Sequence, residues 1–238
     1  MIAVKILGLS GTPIEGGNCD TMVKESLKAC VKVGNVETEF VTLANKEVVT
    51  CKHCQWCIEN MAPCKIKDDA LLVFNKIEES DGLILGSPTW ANTLSPFLPS
   101  LFSRARYHAF FTHRFRNKPV GTLTLGFLGF GLDNTLSVMR DIIAALTMIP
   151  VAMARASVSS RAFGKRPEYL ERGVLDDSFG ILQAQQVGYR VVEVARMIKY
   201  ATENGITIPD DFKYTITGGR VKSRSEKNLV QGVWREKA

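Results

Sequence analysis

The sequence predicts an α/β protein whose main domain is built on a five-stranded, doubly wound parallel sheet. Three observations predict it: short apolar runs typical of buried strands, amphipathic helical patterns between them, and turn residues at the junctions. The length of 238 residues fits one domain with an appendage. A content of 45% hydrophobic and 23% charged residues is that of a globular chain and argues against disorder.

The first three elements follow directly from their patterns. Ala3–Leu9 is an apolar run interrupted only by Lys5, which predicts a strand covered on both faces. Asn18–Val33 carries apolar residues at helical spacing and ends at Gly34, so it predicts a helix. Val36–Leu43 begins by alternating Val, Thr and Phe with glutamates, which indicates a half-exposed edge strand.

The same alternation continues to residue 204. It predicts helices at Asp68–Glu79, Ser95–Tyr107, Asp133–Leu146 and Ser178–Asn204, and strands at Gly82–Leu85, Val120–Leu125 and Val151–Ala156. Pro96 and Pro99 are compatible with the helix that begins at Ser95, because proline is tolerated in a first turn. We therefore expect one domain at 1–204, with a cysteine-rich segment at about 44–67 inserted after the second strand, and a C-terminal extension at 205–238.

Short right-handed crossovers favour the flavodoxin-like strand order 2-1-3-4-5, with the half-exposed second strand at one edge. In that order the ligand crevice lies between strands one and three, at their carboxyl ends. Two loops are predicted to meet there, Ser10–Cys19 and Gly86–Thr93. A third loop, Leu125–Asp133, follows the fourth strand, and its glycines allow close approach of the backbone to a ligand.

The first loop is predicted to bind a phosphate. It joins a buried strand to a helix N-terminus, where backbone N–H groups and the helix dipole favour an anion. The alternative is a structural turn with Asn18 as the helix cap. In the second loop, Trp90 offers a flat apolar face and the Ala91–Thr93 backbone offers amides to a heteroaromatic ring; the alternative is a core tryptophan. The predicted ligand contacts are Ser10, Thr12, Gly17, Asn18, Cys19, Pro88, Thr89, Trp90, Ala91, Asn92, Thr93, Gly126 and Gly129.

These loops resemble those of a known family. Ser10-Gly11-Thr12-Pro13, followed by Gly17-Asn18, resembles the phosphate loop of the NADPH-dependent FMN reductases, and Gly86-Ser87-Pro88-Thr89-Trp90 resembles their ring-binding loop. The resemblance covers roughly Ile2–Ala156 and implies FMN as cofactor and a dimer or tetramer. This chain has Ile14 where the family commonly has Arg, and Cys19 where it commonly has Thr, so phosphate binding would rest on backbone amides and hydroxyls.

Four of the six cysteines form a compact motif. Cys51, Cys54, Cys57 and Cys64 have the spacing C-x2-C-x2-C-x6-C. Successive x2 spacings place three thiolates around one side of a cubane, and the longer gap lets the chain return to ligate the fourth iron. The spacing therefore favours a [4Fe–4S] cluster over zinc, whose structural sites usually pair two separated knuckles. Cys19 and Cys30 are interpreted as buried thiols, with Cys19 also a candidate flavin contact.

A flavodoxin-like core carrying this motif resembles the iron–sulfur flavoprotein family. The resemblance implies one FMN and one [4Fe–4S] cluster per subunit, with Cys51, Cys54, Cys57 and Cys64 as the cluster ligands. It also implies an oligomer, an anaerobic archaeal or bacterial source, and electrons taken from a ferredoxin-type donor. Arg104, Arg106, Arg114 and Arg116 are interpreted either as a basic surface that attracts such a donor or as a solvated helix end.

Two further functions remain open from the sequence. One is an NAD(P)H-dependent FMN or quinone reductase with a structural metal site. The other is a zinc-stabilised module that binds nucleic acid through residues 213–238, which carry seven basic and two acidic residues. That segment matches no nucleic-acid motif, which makes nucleic acid an unlikely partner. The chain shows no apolar stretch long enough to span a membrane and no leader sequence, so we expect a cytoplasmic protein.

Overall fold

The computed structural model describes residues 1–158 and 172–206, together with the backbone of four short strands between 215 and 235. The main sheet contains β1 (Val4–Ser10), β2 (Val36–Thr42), β3 (Gly82–Trp90), β4 (Thr93–Leu94), β5 (Pro119–Phe127) and β6 (Ile149–Val158). Its order is β2-β1-β3-β5-β6, with all five of these strands parallel and β4 paired antiparallel to β3. The five parallel strands thus follow the predicted order, and the short antiparallel β4, which was not predicted, adds a sixth strand to the sheet.

Helices cover both faces of the sheet. Two lie on one face, α1 (Asn18–Lys32) and α7 (Ser178–Glu203), and four on the other, α3 (Ala70–Glu79), α4 (Phe97–Phe102), α5 (Arg106–Phe110) and α6 (Leu132–Ala145). Successive strand residues point to opposite faces, so Ile6 joins the core beneath α1 and α7 while Leu7 joins the core beneath the other four. The sheet is therefore buried on both sides, as its apolar strands predict.

The helix α7 lies very close to the sheet. A Cβ atom placed on Gly121 would come within 2.3 Å of Cγ1 of Val187 and 2.8 Å of Cγ2 of Val191. Only glycine leaves room at this crossing.

The predicted loop Gly86–Thr93 is largely a β-hairpin. β3 continues to Trp90 and β4 begins at Thr93, so that only Ala91 and Asn92 form the turn. Both turn residues have positive φ, at 46° and 62°, as in the two-residue turns that match strand twist. The Gly-Ser-Pro sequence favours a turn locally, but Pro88 instead pairs in register with Leu125 of β5.

The single helix predicted at Ser95–Tyr107 is divided into α4 and α5. At the break, the backbone N–H groups of Arg104 and Ala105 donate to the carbonyls three residues earlier, those of Leu101 and Phe102, at 3.1 Å. This tighter winding turns the chain and directs Ser103 and Arg104 towards the cysteine-rich segment. That segment itself contains a short helix, α2 (Trp56–Glu59), which the sequence did not indicate.

Beyond α7, four short strands form a second, antiparallel sheet. They are β7 (Thr215–Thr217), β8 (Arg220–Lys222), β9 (Asn228–Val230) and β10 (Val233–Arg235), in the order β10-β9-β8-β7. No helix among the described residues is both long and apolar enough to cross a membrane.

Candidate functional site

The carboxyl edge of the sheet brings the predicted loops together. Gly131, with φ +72°, lies directly on the β3–β4 turn, because a Cβ atom there would sit 2.5 Å from Cα of Asn92. Asn134 fixes the same contact by donating from Nδ2 to the Asn92 carbonyl at 2.9 Å. Gly126 faces Thr89, whose Oγ1 would be 2.4 Å from an added Cβ. The second and third loops therefore form one continuous wall.

The first loop is held in shape by its own side chains. Thr12 Oγ1 accepts the N–H of Ile14 at 3.2 Å, and Asn18 Oδ1 accepts the N–H of Val174 at 3.1 Å. The residue preceding α1 is Gly17, which has no side chain to cap the first turn, so the interpretation of Asn18 as the cap is wrong. The first turn of α1 therefore has no side-chain cap from the residue that precedes it.

A buried carboxylate that sequence reasoning missed also lies here. Asp20 is 1% exposed and accepts the N–H of Gly16 through Oδ2 at 2.8 Å. Its position three residues after Gly17 is the usual place for an acid that closes a helix N-terminus, and this was the available signal. Asp20 therefore shapes the first loop, and its negative charge would oppose an anion there.

Two predicted contacts, Ser10 and Cys19, are buried beneath the loop. Ser10 is fully buried at the end of β1, and Cys19 packs in the core between α1 and β3. Burial raises the pKa of the Cys19 thiol to about 12, with the nearby Ser10 hydroxyl opposing the shift. Cys19 is therefore a neutral core thiol, and it can offer a ligand only its backbone N–H.

An apolar rim surrounds the mouth of this edge. Trp90 is 45% exposed and Phe130 is 61% exposed, so the alternative of a core tryptophan is wrong. Ile14 in the first loop and Leu128 in the third loop are exposed as well. Large apolar side chains left open to solvent around polar backbone groups are typical of a site for a flat heteroaromatic ligand. Sequence reasoning missed Leu128 and Phe130, although both lie in the predicted glycine-rich loop.

All four cysteines of the motif line one cavity. Cys51, Cys54, Cys57 and Cys64 are joined there by four cationic residues, Lys52, Lys65, Arg104 and Arg106, and by no carboxylate. Within residues 1–158 and 172–206, no three Cys, His, Asp or Glu side chains are already drawn together around a metal position. Four thiols in a positively charged cavity nevertheless suit an anionic thiolate-ligated centre.

The backbone of the cysteine segment is tightly curved. His53, Gln55 and Met61 all have positive φ, between 48° and 59°, a conformation uncommon outside glycine. The N–H of His53 donates to Cys51 Sγ at 3.3 Å, an orientation that supports a thiolate ligand. Burial raises the pKa of the Cys57 thiol, and the neighbouring Cys64 and Cys51 add to this while Arg106 opposes it. The Cys57 thiol is thus affected by two other cysteines of the motif.

A buried ion pair between Arg104 and Asp68 holds the two ends of the cysteine segment together. Arg104 donates through Nη1 to Asp68 and to the Val49 carbonyl, and through Nη2 to the Ile66 carbonyl. Asp68 in turn accepts the N–H groups of Val49 and Ala70 at 2.8 and 3.1 Å. Both side chains are 1% exposed. The two ends of the cysteine segment, Val49 and Ile66, are therefore held by one residue of the α4–α5 turn.

This pair corrects the interpretation of Arg104 as a surface cation. Burial lowers the pKa of the Arg104 guanidinium, but Asp68 and the Cys64 thiol outweigh this and leave the pKa above its usual value. Arg106 is half-buried and donates to Gln55 Oε1 at 2.9 Å, while Arg114 is well exposed and pairs with Glu78. Of the four arginines, Arg114 fits best with the predicted basic surface.

The short helix α4 connects the cavity to the apolar rim. At its first residue, Phe97 packs edge-on against Trp90 with ring centroids 6.5 Å apart. At its other end, Ser103 Oγ accepts the N–H of Cys51 at 3.1 Å. Six residues of helix rise by about 9 Å, so the two sites are neighbours on one chain.

The fold and the two sites define a flavin-dependent oxidoreductase of the flavodoxin-like class. Residues 4–162 match the model of the NADPH-dependent FMN reductase family, and the chain belongs to that family. Within it, the chain is an iron–sulfur flavoprotein by similarity. It is 33% identical to an iron–sulfur flavoprotein of Methanocaldococcus jannaschii over 82% of this chain and all of the relative, and 27% identical to one of Archaeoglobus fulgidus over 84% and all of the relative.

Solved structures confirm the fold. RosB, determined with bound 8-demethyl-8-formylriboflavin 5′-phosphate, superposes with a TM-score of 0.67 at 18% identity, covering 83% of this chain and 81% of RosB. An NAD(P)H:quinone oxidoreductase from Methanothermobacter marburgensis gives 0.57 at 15% identity, covering 79% of this chain and 98% of that one. The family assignment, which implies flavin chemistry, supports the redox interpretations over the zinc-stabilised module.

Proposed function

We propose that this protein transfers electrons between a [4Fe–4S] cluster and FMN, taking them from a ferredoxin-type donor. The observation that carries the proposal is the single cavity shared by the four motif cysteines, next to the helix that contacts Trp90. When bound, the cluster supplies one-electron chemistry and FMN supplies one- or two-electron chemistry. The chain itself has to bind, orient and shield the two groups.

The FMN phosphate is assigned to the first turn of α1. The backbone N–H groups of Asn18 and Cys19 and the hydroxyl of Thr12 are its proposed partners, and Gly17 gives the phosphate room to approach. The ring is assigned to the wall formed by the second and third loops. There Trp90 supplies an apolar face, and the loop residues from Pro88 to Thr93, with Gly126 and Gly129, border the polar edge of the ring.

The cluster is assigned to Cys51, Cys54, Cys57 and Cys64. Lys52, Lys65, Arg104 and Arg106 would offset the negative charge of four thiolates, because like charges at such distances are otherwise strongly unfavourable. Arg114, half-buried Arg116 and the basic residues of 213–238 are proposed to attract an acidic donor protein in the cytosol and to raise its association rate. A homodimer or homotetramer is the proposed assembly.

Analysis of the protein purified without oxygen tests this proposal. We expect bound flavin together with iron and acid-labile sulfide in equal amounts, about four of each per chain. Cys57→Ala should remove the iron while flavin stays bound. The matched control is Cys30→Ala, because Cys30 is a buried residue of α1 that donates to the Gly188 carbonyl of α7, away from the cavity. One zinc and no labile sulfide would overturn the redox proposal.

The family assignment supports a second candidate, an NAD(P)H-dependent reductase in which the metal site is structural. Steady-state oxidation of NAD(P)H by the pure protein, with the same rate in a Cys57→Ala variant that has lost its iron, would support this candidate. Reduction of bound flavin by ferredoxin but not by NAD(P)H, and only in iron-loaded protein, would support the first.

A further inference from the structure

Arg104 has one donor that the ion pair does not use. Its Nη1 and Nη2 groups are directed to Asp68, Val49 and Ile66, as described above. Its Nε–H is buried and has no acceptor among the described residues. Buried polar groups are nearly always hydrogen-bonded, so an unpaired donor on a charged group points to a missing acceptor.

The surroundings of Nε indicate what that acceptor is. Arg104 is 3% exposed and lines the cysteine cavity, so a ligand held by the cysteines would lie against it. Cys64 lines the same cavity as Arg104, and its thiol is among the groups that raise the pKa of the guanidinium. The ion pair with Asp68 fixes the guanidinium in its plane, and it therefore also fixes the direction of Nε–H. Among the groups that line this cavity, the acceptor that best fits these contacts is a sulfur at Cys64.

We propose that Arg104 is a positioning residue whose Nε–H donates a hydrogen bond to sulfur at Cys64, either the ligand thiolate or the adjacent cluster sulfide. This inference rests on the proposed function, because it requires a cluster in the cavity. Hydrogen bonds to cluster sulfurs stabilise the more negative, reduced form and so raise the reduction potential. Arg104 would therefore have two roles. It would hold the two ends of the cysteine segment together, and it would raise the reduction potential of the bound cluster.

Arg104→Lys separates these two roles. A lysine places a methylene group where Nε stands, while its ammonium group keeps a positive charge beside Asp68. The exposed Arg114 provides a matched control, since Arg114→Lys makes the same chemical change outside the cavity. Both variants are purified without oxygen, and their iron and labile sulfide are measured before any other comparison.

Two readouts test the hydrogen bond in loaded protein. The first is the midpoint potential of the cluster from a titration followed by EPR. We expect Arg104→Lys to make reduction about tenfold less favourable, which is about 59 mV for a one-electron couple, and Arg114→Lys to leave the potential unchanged. The second is proton ENDOR of the reduced cluster, where a strongly coupled exchangeable proton should be present in the wild type and absent in Arg104→Lys. An unchanged potential with the proton signal retained would overturn the inference.

A third measurement needs no variant. In wild-type protein labelled with 15N-arginine, one Nε–H resonance should shift and exchange more slowly when the metal-free protein is loaded with iron and sulfide. The absence of any such change would also overturn the inference. If the wild-type protein takes up no labile sulfide at all, the proposed function fails, and that result is distinct from a loaded cluster that does not respond to Arg104.

Discussion

Removing the charge of Asp68 should destabilise this protein more than any surface substitution. In Asp68→Asn the volume is nearly unchanged, but the Arg104 guanidinium loses its counter-ion while both side chains remain 1% exposed. Removing one partner of a buried ion pair costs about 3–5 kcal/mol, because the other charge stays buried without compensation. The amide also replaces one of the two oxygens that accept the N–H groups of Val49 and Ala70.

The assay is urea unfolding of the metal-free protein, followed by circular dichroism. With a slope of about 2–3 kcal/mol per molar urea for a chain of this size, the expected loss lowers the midpoint by roughly 1–2 M. Asp133→Asn is the control, because Asp133 pairs with Arg155 at the surface with side-chain exposures of 81% and 47%. Exposed pairs contribute about 0–1 kcal/mol, so that midpoint should barely move.

The pH dependence provides an independent check. Burial alone would raise the pKa of Asp68, but Arg104 and the N–H groups of Val49 and Ala70 outweigh it and hold the pKa below its usual value. A carboxylate with a depressed pKa stabilises the folded state above its unfolded pKa of about 3.9 and loses this effect as the pH falls further. The difference between wild type and Asp68→Asn should therefore be full at neutral pH and shrink below about pH 4. A difference under 1 kcal/mol at pH 7 would refute the stabilising role of the buried Asp68–Arg104 ion pair.

Three other changes have expected outcomes. Gly121→Ala should lower the free energy of unfolding by about 1–3 kcal/mol, because the added Cβ would overlap Val187 of α7. Thermal unfolding measures this, and an unchanged melting temperature would contradict the packing described. Trp90→Ala should weaken flavin binding, measured by fluorescence titration, with little loss of stability, since the side chain is 45% exposed. Burial lowers the pKa of Lys118 to about 8. The free energy of unfolding of the wild type should therefore rise from pH 8 towards pH 10 more steeply than that of Lys118→Met. Parallel pH curves for the two proteins would count against a buried amine.

The strand order, the meeting of the second and third loops, and the grouping of the four motif cysteines could be predicted because they depend on local signals. Apolar runs such as Ala3–Leu9 identify buried strands, and parallel crossovers then place their carboxyl ends, and the loops that follow, at one edge. The cysteine spacing is likewise a local pattern. The family assignment confirms the flavoprotein class that these signals indicated.

The remaining features depend on contacts between distant parts of the chain. Asp68 and Arg104 are 36 residues apart, and nothing near either residue indicates that they meet. Arg104 is therefore indistinguishable in the sequence from exposed Arg114. Pro88 was misassigned for a similar reason, since its place in β3 is fixed by pairing with β5, which overrides the local turn preference. The exposure of Trp90 also depends on its tertiary neighbours.

The conformation of the cysteine segment depends on contacts from outside the cysteine motif, which limits how well the motif alone would work in another protein. Residues 49–68 carry the four thiols and the left-handed turns at His53, Gln55 and Met61, but two of the contacts that shape them come from Ser103 and Arg104. A graft of only the C-x2-C-x2-C-x6-C stretch onto another flavodoxin-like scaffold would carry the four cysteines. It would lack the contacts from Ser103 and Arg104 that shape the segment. The recipient would also need the α4–α5 turn, because Ser103 and Arg104 hold the cysteine segment in shape.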